Sequence, residues 1–177
     1  MTKVKALSKR RFCTEAGITM NTETAPILFL DFDGVTHPEP PDKDQLFQSL
    51  PLIESVLRRH PGVLVILSTT WRTKYPLDEL KDLFSSDIAG RVQGATPVLS
   101  LYDLAWYPVP LSARSRQREI EAWLHQNRKQ DHPWIAIDDR PWWFESECSN
   151  LLVTNPHTGF TETDVDRLEH MILRRCS

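Results

Sequence analysis

From residue 26 onward, short apolar runs alternate with stretches whose apolar residues recur at helical spacing. Ile27, Leu28, Phe29 and Leu30 form an unbroken apolar run closed by Asp31, the pattern of a strand buried on both faces. A loop with Pro38, Pro40 and Pro41 follows, then a helical stretch in which Leu52, Val56 and Leu57 share a face until His60-Pro61-Gly62 stops it. Residues 63–67 are a second apolar run, ending in Ser68-Thr69-Thr70-Trp71-Arg72. The pattern predicts a helix at 76–84 with proline in its first turn, a short strand within 91–99 and a loop at 100–114. The clearest amphipathic helix is 115–128, with Ile120, Trp123 and Leu124 on one face. Residues 134–137 form a strand that runs into Asp138-Asp139, and 151–153 form another. The last helix is expected from Thr163, paired with Asp166 in a capping box, to about residue 174.

Strands alternating with helices predict a parallel α/β sheet with helices on both faces. In such sheets ligands bind beyond the carboxyl ends of the strands. Three of the strands end there in polar groups: Asp31 and Asp33, Ser68, and Asp138-Asp139.

Composition narrows the class. At 177 residues the chain fits one domain with a short tail, and 40% apolar with 25% charged residues fits a folded chain rather than a disordered one. No apolar run approaches the roughly 18 residues needed to span a bilayer. Cys13, Cys148 and Cys176 lie far apart with no CxxC pair, which excludes a zinc ribbon or disulfide framework and suggests the reducing cytoplasm. The histidines lack metal-site spacing. A net charge of -3 gives no general attraction to nucleic acid. Residues 1–24 differ: Lys3, Lys5, Lys9, Arg10 and Arg11 face only Glu15 and Glu23. This stretch is read as a disordered basic tail able to touch RNA or an anionic surface, and 25–177 as the folded domain.

The carboxylates carry the chemistry. Asp31 and Asp33 flank one residue and precede Gly34, which permits a sharp turn. Buried carboxylates so close repel, so they need a cation or a shared proton. A second acidic pair at another strand end points to Mg²⁺, which takes oxygen ligands from one or two carboxylates plus substrate.

In this order the motifs resemble the haloacid dehalogenase (HAD) superfamily of phosphohydrolases: DFDGV at 31–35, Ser68 (or Thr69, one residue on) after the second strand, a basic residue at the start of a helix, and Asp138-Asp139. The stretches STTWR at 68–72, REIEAWL at 118–124 and WIAIDDRPWW at 134–143 are similar to the HAD domain of Swiss-Army-knife RNA repair proteins. The resemblance covers about 26–174. It implies a Rossmann-like three-layer sandwich and a Mg²⁺-dependent phosphatase in which Asp31 attacks phosphorus and Asp33 is acid, then base. It also implies that Ser68 or Thr69 and an arginine bind phosphate, and that Asp31, the Asp33 carbonyl, Asp138 and Asp139 serve the metal. The family usually has lysine as the basic residue; here Arg114, Arg116 and Arg118 are all candidates, with Arg116 placed best by analogy with the family pattern and Arg118 its competitor.

Only 34 residues separate Asp33 from Ser68, fewer than the roughly 50 that a cap domain needs. The site is therefore expected to be open, suiting large substrates such as RNA or DNA ends. His37, Arg72, Trp106, Tyr107, Trp142 and Trp143 are further candidates for substrate contact, against structural roles for each. Cys148 reads as an inert packed thiol. A phosphotransferase and an inactive binding module of the same fold remain alternatives. A signalling receiver domain is disfavoured, because there the acidic pair comes first and the phosphoacceptor later.

Overall fold

The computed structural model describes residues 25–99 and 115–175, together with the backbone of two short strands, β1 (Arg11–Cys13) and β2 (Thr19–Asn21). These two pair antiparallel with each other. The main sheet holds five parallel strands in the order β5 (Val92–Ala95), β4 (Leu64–Leu67), β3 (Ile27–Leu30), β6 (Trp134–Asp138), β7 (Leu151–Val153). Each corresponds to a run anticipated above. The expected loop at 100–114, with Trp106, Tyr107 and Arg114, and the rest of 1–24 lie outside the described residues. No helix among the described residues is long and apolar enough to cross a membrane.

Alternation along the strands builds two cores. Leu28 and Leu30 of β3, Val65 and Leu67 of β4, and Ile135 and Ile137 of β6 face one side. There they pack on α1 (Leu50–Arg59), α3 (Ser86–Ala89) and α5 (Glu162–Arg175) through Ile53, Val56, Leu57, Ile88, Leu168 and Ile172. The intervening Ile27, Phe29, Ile66 and Ala136 face the other side and meet Ile120 and Leu124 of α4 (Ser115–Gln126). Trp123 and Trp134 close that smaller core edge-on against Phe29, at 5.6 and 6.1 Å between ring centres. Helices on both faces of a parallel sheet give the Rossmann-like three-layer sandwich, and no cap domain stands over it among the described residues.

Three local expectations shift. The buried face of α1 is set by Ile53 rather than Leu52, which is only partly buried. The helix expected at 76–84 is shorter, α2 (Leu77–Lys81), and a second short piece, α3, follows beyond the expected span. Between them Glu54, buried on α1, accepts hydrogen bonds from the Ser85 amide at 2.7 Å and hydroxyl at 2.5 Å. That draws the chain toward α1 and ends the first piece. Finally, α5 begins at Glu162 and not at Thr163. Its cap pairs Thr161 with Asp164: the carboxylate accepts from the Thr161 amide at 3.0 Å and hydroxyl at 2.8 Å. Thr163 and Asp166 fit the same spacing but are exposed.

The cap assignment is testable. Asp164→Ala is expected to lower the unfolding free energy by about 1 kcal/mol in denaturant titration, while Thr163→Ala leaves it nearly unchanged. Equal losses would return the cap to Thr163.

Candidate active site

Strand register places the key residues side by side. Leu30 pairs with Leu67 on one side and with Ile137 on the other. The residues that follow, Asp31, Ser68 and Asp138, therefore stand level on three adjacent strands. The ladder continues one step, with the Asp31 amide donating to the Ile137 carbonyl at 3.1 Å and the Ser68 amide to the Leu30 carbonyl at 2.8 Å. The chain after β3 then turns at Gly34, whose φ is 67°. A Cβ on Gly34 would lie 2.7 Å from the Asp139 carboxyl carbon, so glycine is needed both for the turn and for the approach of that carboxylate. The Thr154 hydroxyl fastens the turn to the end of β7 by donating to the Gly34 carbonyl at 2.8 Å.

Asp31, Asp138 and Asp139 are all buried, and each offers an oxygen within 4.8 Å of the others. Burial pushes the Asp31 carboxyl up to about 6, against the pull of Arg116 and the Phe32 amide. Burial, reinforced by the neighbouring Asp31, raises Asp138 well above the usual carboxylate range. Burial raises Asp139 too, with Arg140 opposing. Among the described residues, the buried cation reaching in is Arg116, at the start of α4: Nη2 lies 3.5 Å from Asp31 and Nε 3.3 Å from Asp138. Burial works against its charge, and Asp31, Asp138 and Glu119 more than offset that effect.

Arg116 is itself held. Its Nη1 donates to Glu119 at 3.0 Å, and Glu119 also pairs with Arg72 at 2.8 Å. Arg72 donates to the carbonyls of Thr69 and Thr96, tying the ends of β4 and β5 together. The Trp143 ring packs between two guanidinium groups, 5.1 Å from Arg116 and 4.8 Å from Arg140. Arg140 extends the network to Glu39 at 2.6 Å. Glu119, Arg140 and Glu39 went unnoticed in the sequence. The spacing of Glu119, three residues after Arg116 on a helix, was the available signal.

Of the arginine candidates, Arg116 reaches the acidic cluster. Arg118 is also buried on α4, but two positions on a helix turn it about 200° away. Ser68 is buried with its hydroxyl unpaired among the described residues, as a group awaiting a ligand would be. Thr69 is buried and accepts the Trp71 amide at 3.3 Å. The Asp33 carboxylate lies outside that group of three and is partly exposed. It accepts from the Trp71 indole at 3.0 Å and lies 3.2 Å from His37 Nε2, and the hydrogen bond to His37 holds its pKa below the usual value. His37 has 0% exposure, so it sits behind Asp33 rather than meeting substrate. Arg72 serves structure through Glu119, while Trp142 is 64% exposed. Cys148 is half-buried, and burial raises its thiol pKa, as for an inert thiol.

Three carboxylates with only oxygen donors fit a hard divalent cation. Asp139 Oδ1 adds to that fit: among the described residues it is buried without a hydrogen bond, its guanidinium neighbour Arg140 standing 3.6 Å away. A divalent ion there would neutralise charge that Arg116 alone cannot.

Gly34→Ala tests this geometry. The substitution is expected to destabilise the fold by about 1–2 kcal/mol and, by displacing Asp139, to weaken divalent-cation binding in calorimetry. Gly90→Ala, where an added Cβ meets nothing within 4 Å, is the control and leaves both unchanged. Unchanged cation affinity in Gly34→Ala would remove Asp139 from the site.

Residues 27–165 match the family model described as the HAD domain in Swiss Army Knife RNA repair proteins. No curated protein and no solved structure matches the chain. The matched span runs from β3 into α5 and contains every residue of the acidic cluster. A match over most of the chain, on a parallel sandwich with this aspartate cluster at its carboxyl edge, shows that the chain belongs to the HAD family found in Swiss Army Knife RNA repair proteins and is an enzyme of the HAD hydrolase type.

Proposed function

We propose that the protein is a Mg²⁺-dependent phosphomonoesterase that works through an aspartyl-phosphate at Asp31 and acts on the phosphates of nucleotides or nucleic-acid ends. The observation that carries this reading is the level row of Asp31, Ser68 and Asp138, with Arg116 reaching both carboxylates. Asp31, Asp138, Asp139 and the Asp33 carbonyl would hold the Mg²⁺. When bound, the ion supplies charge neutralisation that lets an anionic carboxylate approach an anionic phosphate.

The protein's own groups then divide the work. An Asp31 oxygen forms a bond to phosphorus as the bond to the leaving oxygen breaks. The Ser68 hydroxyl, buried and unpaired among the described residues, donates to a phosphoryl oxygen, and Arg116 spreads positive charge over the transferring group. Asp33 gives its proton to the leaving oxygen. Its carboxyl is acidic in the free protein, and an anionic phosphate arriving beside it raises its pKa, the direction this step requires. Water then attacks phosphorus, Asp33 takes its proton, and the bond to Asp31 breaks to release inorganic phosphate.

Two features support a large substrate. The connections at 31–49 and 96–114 are too short for a cap domain, so the strand ends are not roofed by one. The family's domain is also found in RNA repair proteins. A cytoplasmic setting agrees with three cysteines spaced in a way that gives no disulfide framework.

Asp31→Asn is expected to abolish phosphatase activity with an unchanged circular dichroism spectrum, since an amide is a poor nucleophile for phosphorus. Near-normal turnover would exclude the covalent route. For the substrate class, kcat/KM for an oligonucleotide end-phosphate should exceed that for the matching mononucleotide by about tenfold. Equal values would remove the nucleic-acid end and leave the phosphatase.

A further inference from the structure

Asp33 is held far more closely than an acid–base group at an open site needs to be for solubility or folding. The Trp71 indole N–H points between its two oxygens, 3.0 Å from Oδ1 and 3.1 Å from Oδ2. His37 Nε2 lies 3.2 Å from Oδ1. Behind it, His37 Nδ1 is 3.0 Å from the Thr36 hydroxyl, which donates to the Phe32 carbonyl at 3.0 Å. A line of close polar contacts thus runs from the backbone just after Asp31 to one oxygen of Asp33. The other oxygen, Oδ2, has besides Trp71 only a long 3.5 Å contact from Thr70 among the described residues.

The rings that supply these contacts are themselves locked. Phe47 meets His37 edge-on at 5.2 Å and Trp71 at 5.3 Å, and Phe32 meets Trp71 at 5.9 Å. Phe47 reaches this place with a φ of 60°, a backbone angle that L-residues rarely adopt. The cluster therefore fixes the rotamers of His37 and Trp71, and through them the direction of the Asp33 carboxylate.

We propose that His37 and Trp71 are positioning residues that anchor Asp33 by Oδ1 and present Oδ2 to the leaving oxygen and then to the attacking water. The inference rests on the acid–base reading of Asp33 above. Leaving oxygen and water occupy the same place opposite Asp31, so one fixed carboxylate direction serves both steps. Pre-set direction removes reorganisation at the moment of proton transfer. A purely structural role for the two side chains would lower all activities together. A positioning role lowers them selectively.

The test uses the full chain with Mg²⁺ and two substrates, an activated nitrophenyl phosphate and an alkyl phosphate with a poor leaving group. Trp71→Phe keeps a ring in the cluster and removes the N–H; His37→Leu removes the second anchor and His37→Gln restores a donor near Nε2. Trp71→Phe and His37→Leu are each expected to lower kcat for the alkyl phosphate by about tenfold, to change nitrophenyl phosphate turnover little, and to leave KM nearly constant. His37→Gln should recover most of the loss. Equal losses for both substrates, or none, would overturn the proposal. If His37→Leu does not fold, Trp71→Phe decides the question alone. Asp33→Asn run in parallel separates the two readings: a leaving-group-selective loss there with none in the anchor variants defeats only the anchoring, whereas no selectivity in Asp33→Asn itself defeats the acid–base role as well.

Discussion

Three carboxylates brought within 4.8 Å of one another in a buried place repel each other, and removal from water makes each charge costlier still. Burial is the largest cause of the raised pKa values of Asp31, Asp138 and Asp139, and for Asp138 the neighbouring Asp31 adds to it. Much of the surrounding structure answers it. Arg116 is placed between Asp31 and Asp138, Glu119 and Arg72 hold Arg116 in place, and Trp143 packs over its guanidinium. Arg116 and Arg140 against three carboxylates leave negative charge over when all three are ionised, and the cluster could coordinate a divalent cation. The arrangement is costly for folding and useful for chemistry, the usual trade at a functional site.

The parallel sheet makes the crowding possible. Because β4, β3 and β6 run the same way in matched register, their last apolar residues Leu67, Leu30 and Ile137 are neighbours. Each chain must then leave the sheet at the same edge, and whatever side chains come next converge there. Gly34 completes the geometry by letting the first turn close against Asp139 without a Cβ in the way. The sandwich also separates tasks. The apolar faces supply stability through two cores, and the polar groups at one edge supply the chemistry.

Sequence reading recovered what local pattern controls. Strands β3, β4, β6 and β7 were legible because a buried parallel strand is a short unbroken apolar run, and α1 ended where His60, Pro61 and Gly62 said it would. The acidic cluster was legible because its members follow those strands directly. What escaped depended on contacts between distant residues. The break between α2 and α3 comes from Glu54 reaching Ser85, 31 residues away. The start of α5 was ambiguous because Thr161 with Asp164 and Thr163 with Asp166 have identical spacing, and only burial distinguishes them. The choice among three arginines needed the phase of α4 relative to the sheet. Nearness to Asp33 in sequence left His37 open between substrate contact and a structural role, and its ring lies edge-on against Phe47 and Trp71.

The central claim is that this crowded carboxylate site forms a covalent phosphoryl-enzyme at Asp31. The most direct measurement is rapid acid quenching of the Mg²⁺-loaded protein during turnover of a radiolabelled phosphomonoester, followed by proteolysis and mass spectrometry. The account predicts labelled phosphate on the peptide carrying Asp31, at an acid-stable, hydroxylamine-labile linkage. Label on another residue, or continued hydrolysis with no labelled peptide at any quench time, would contradict it.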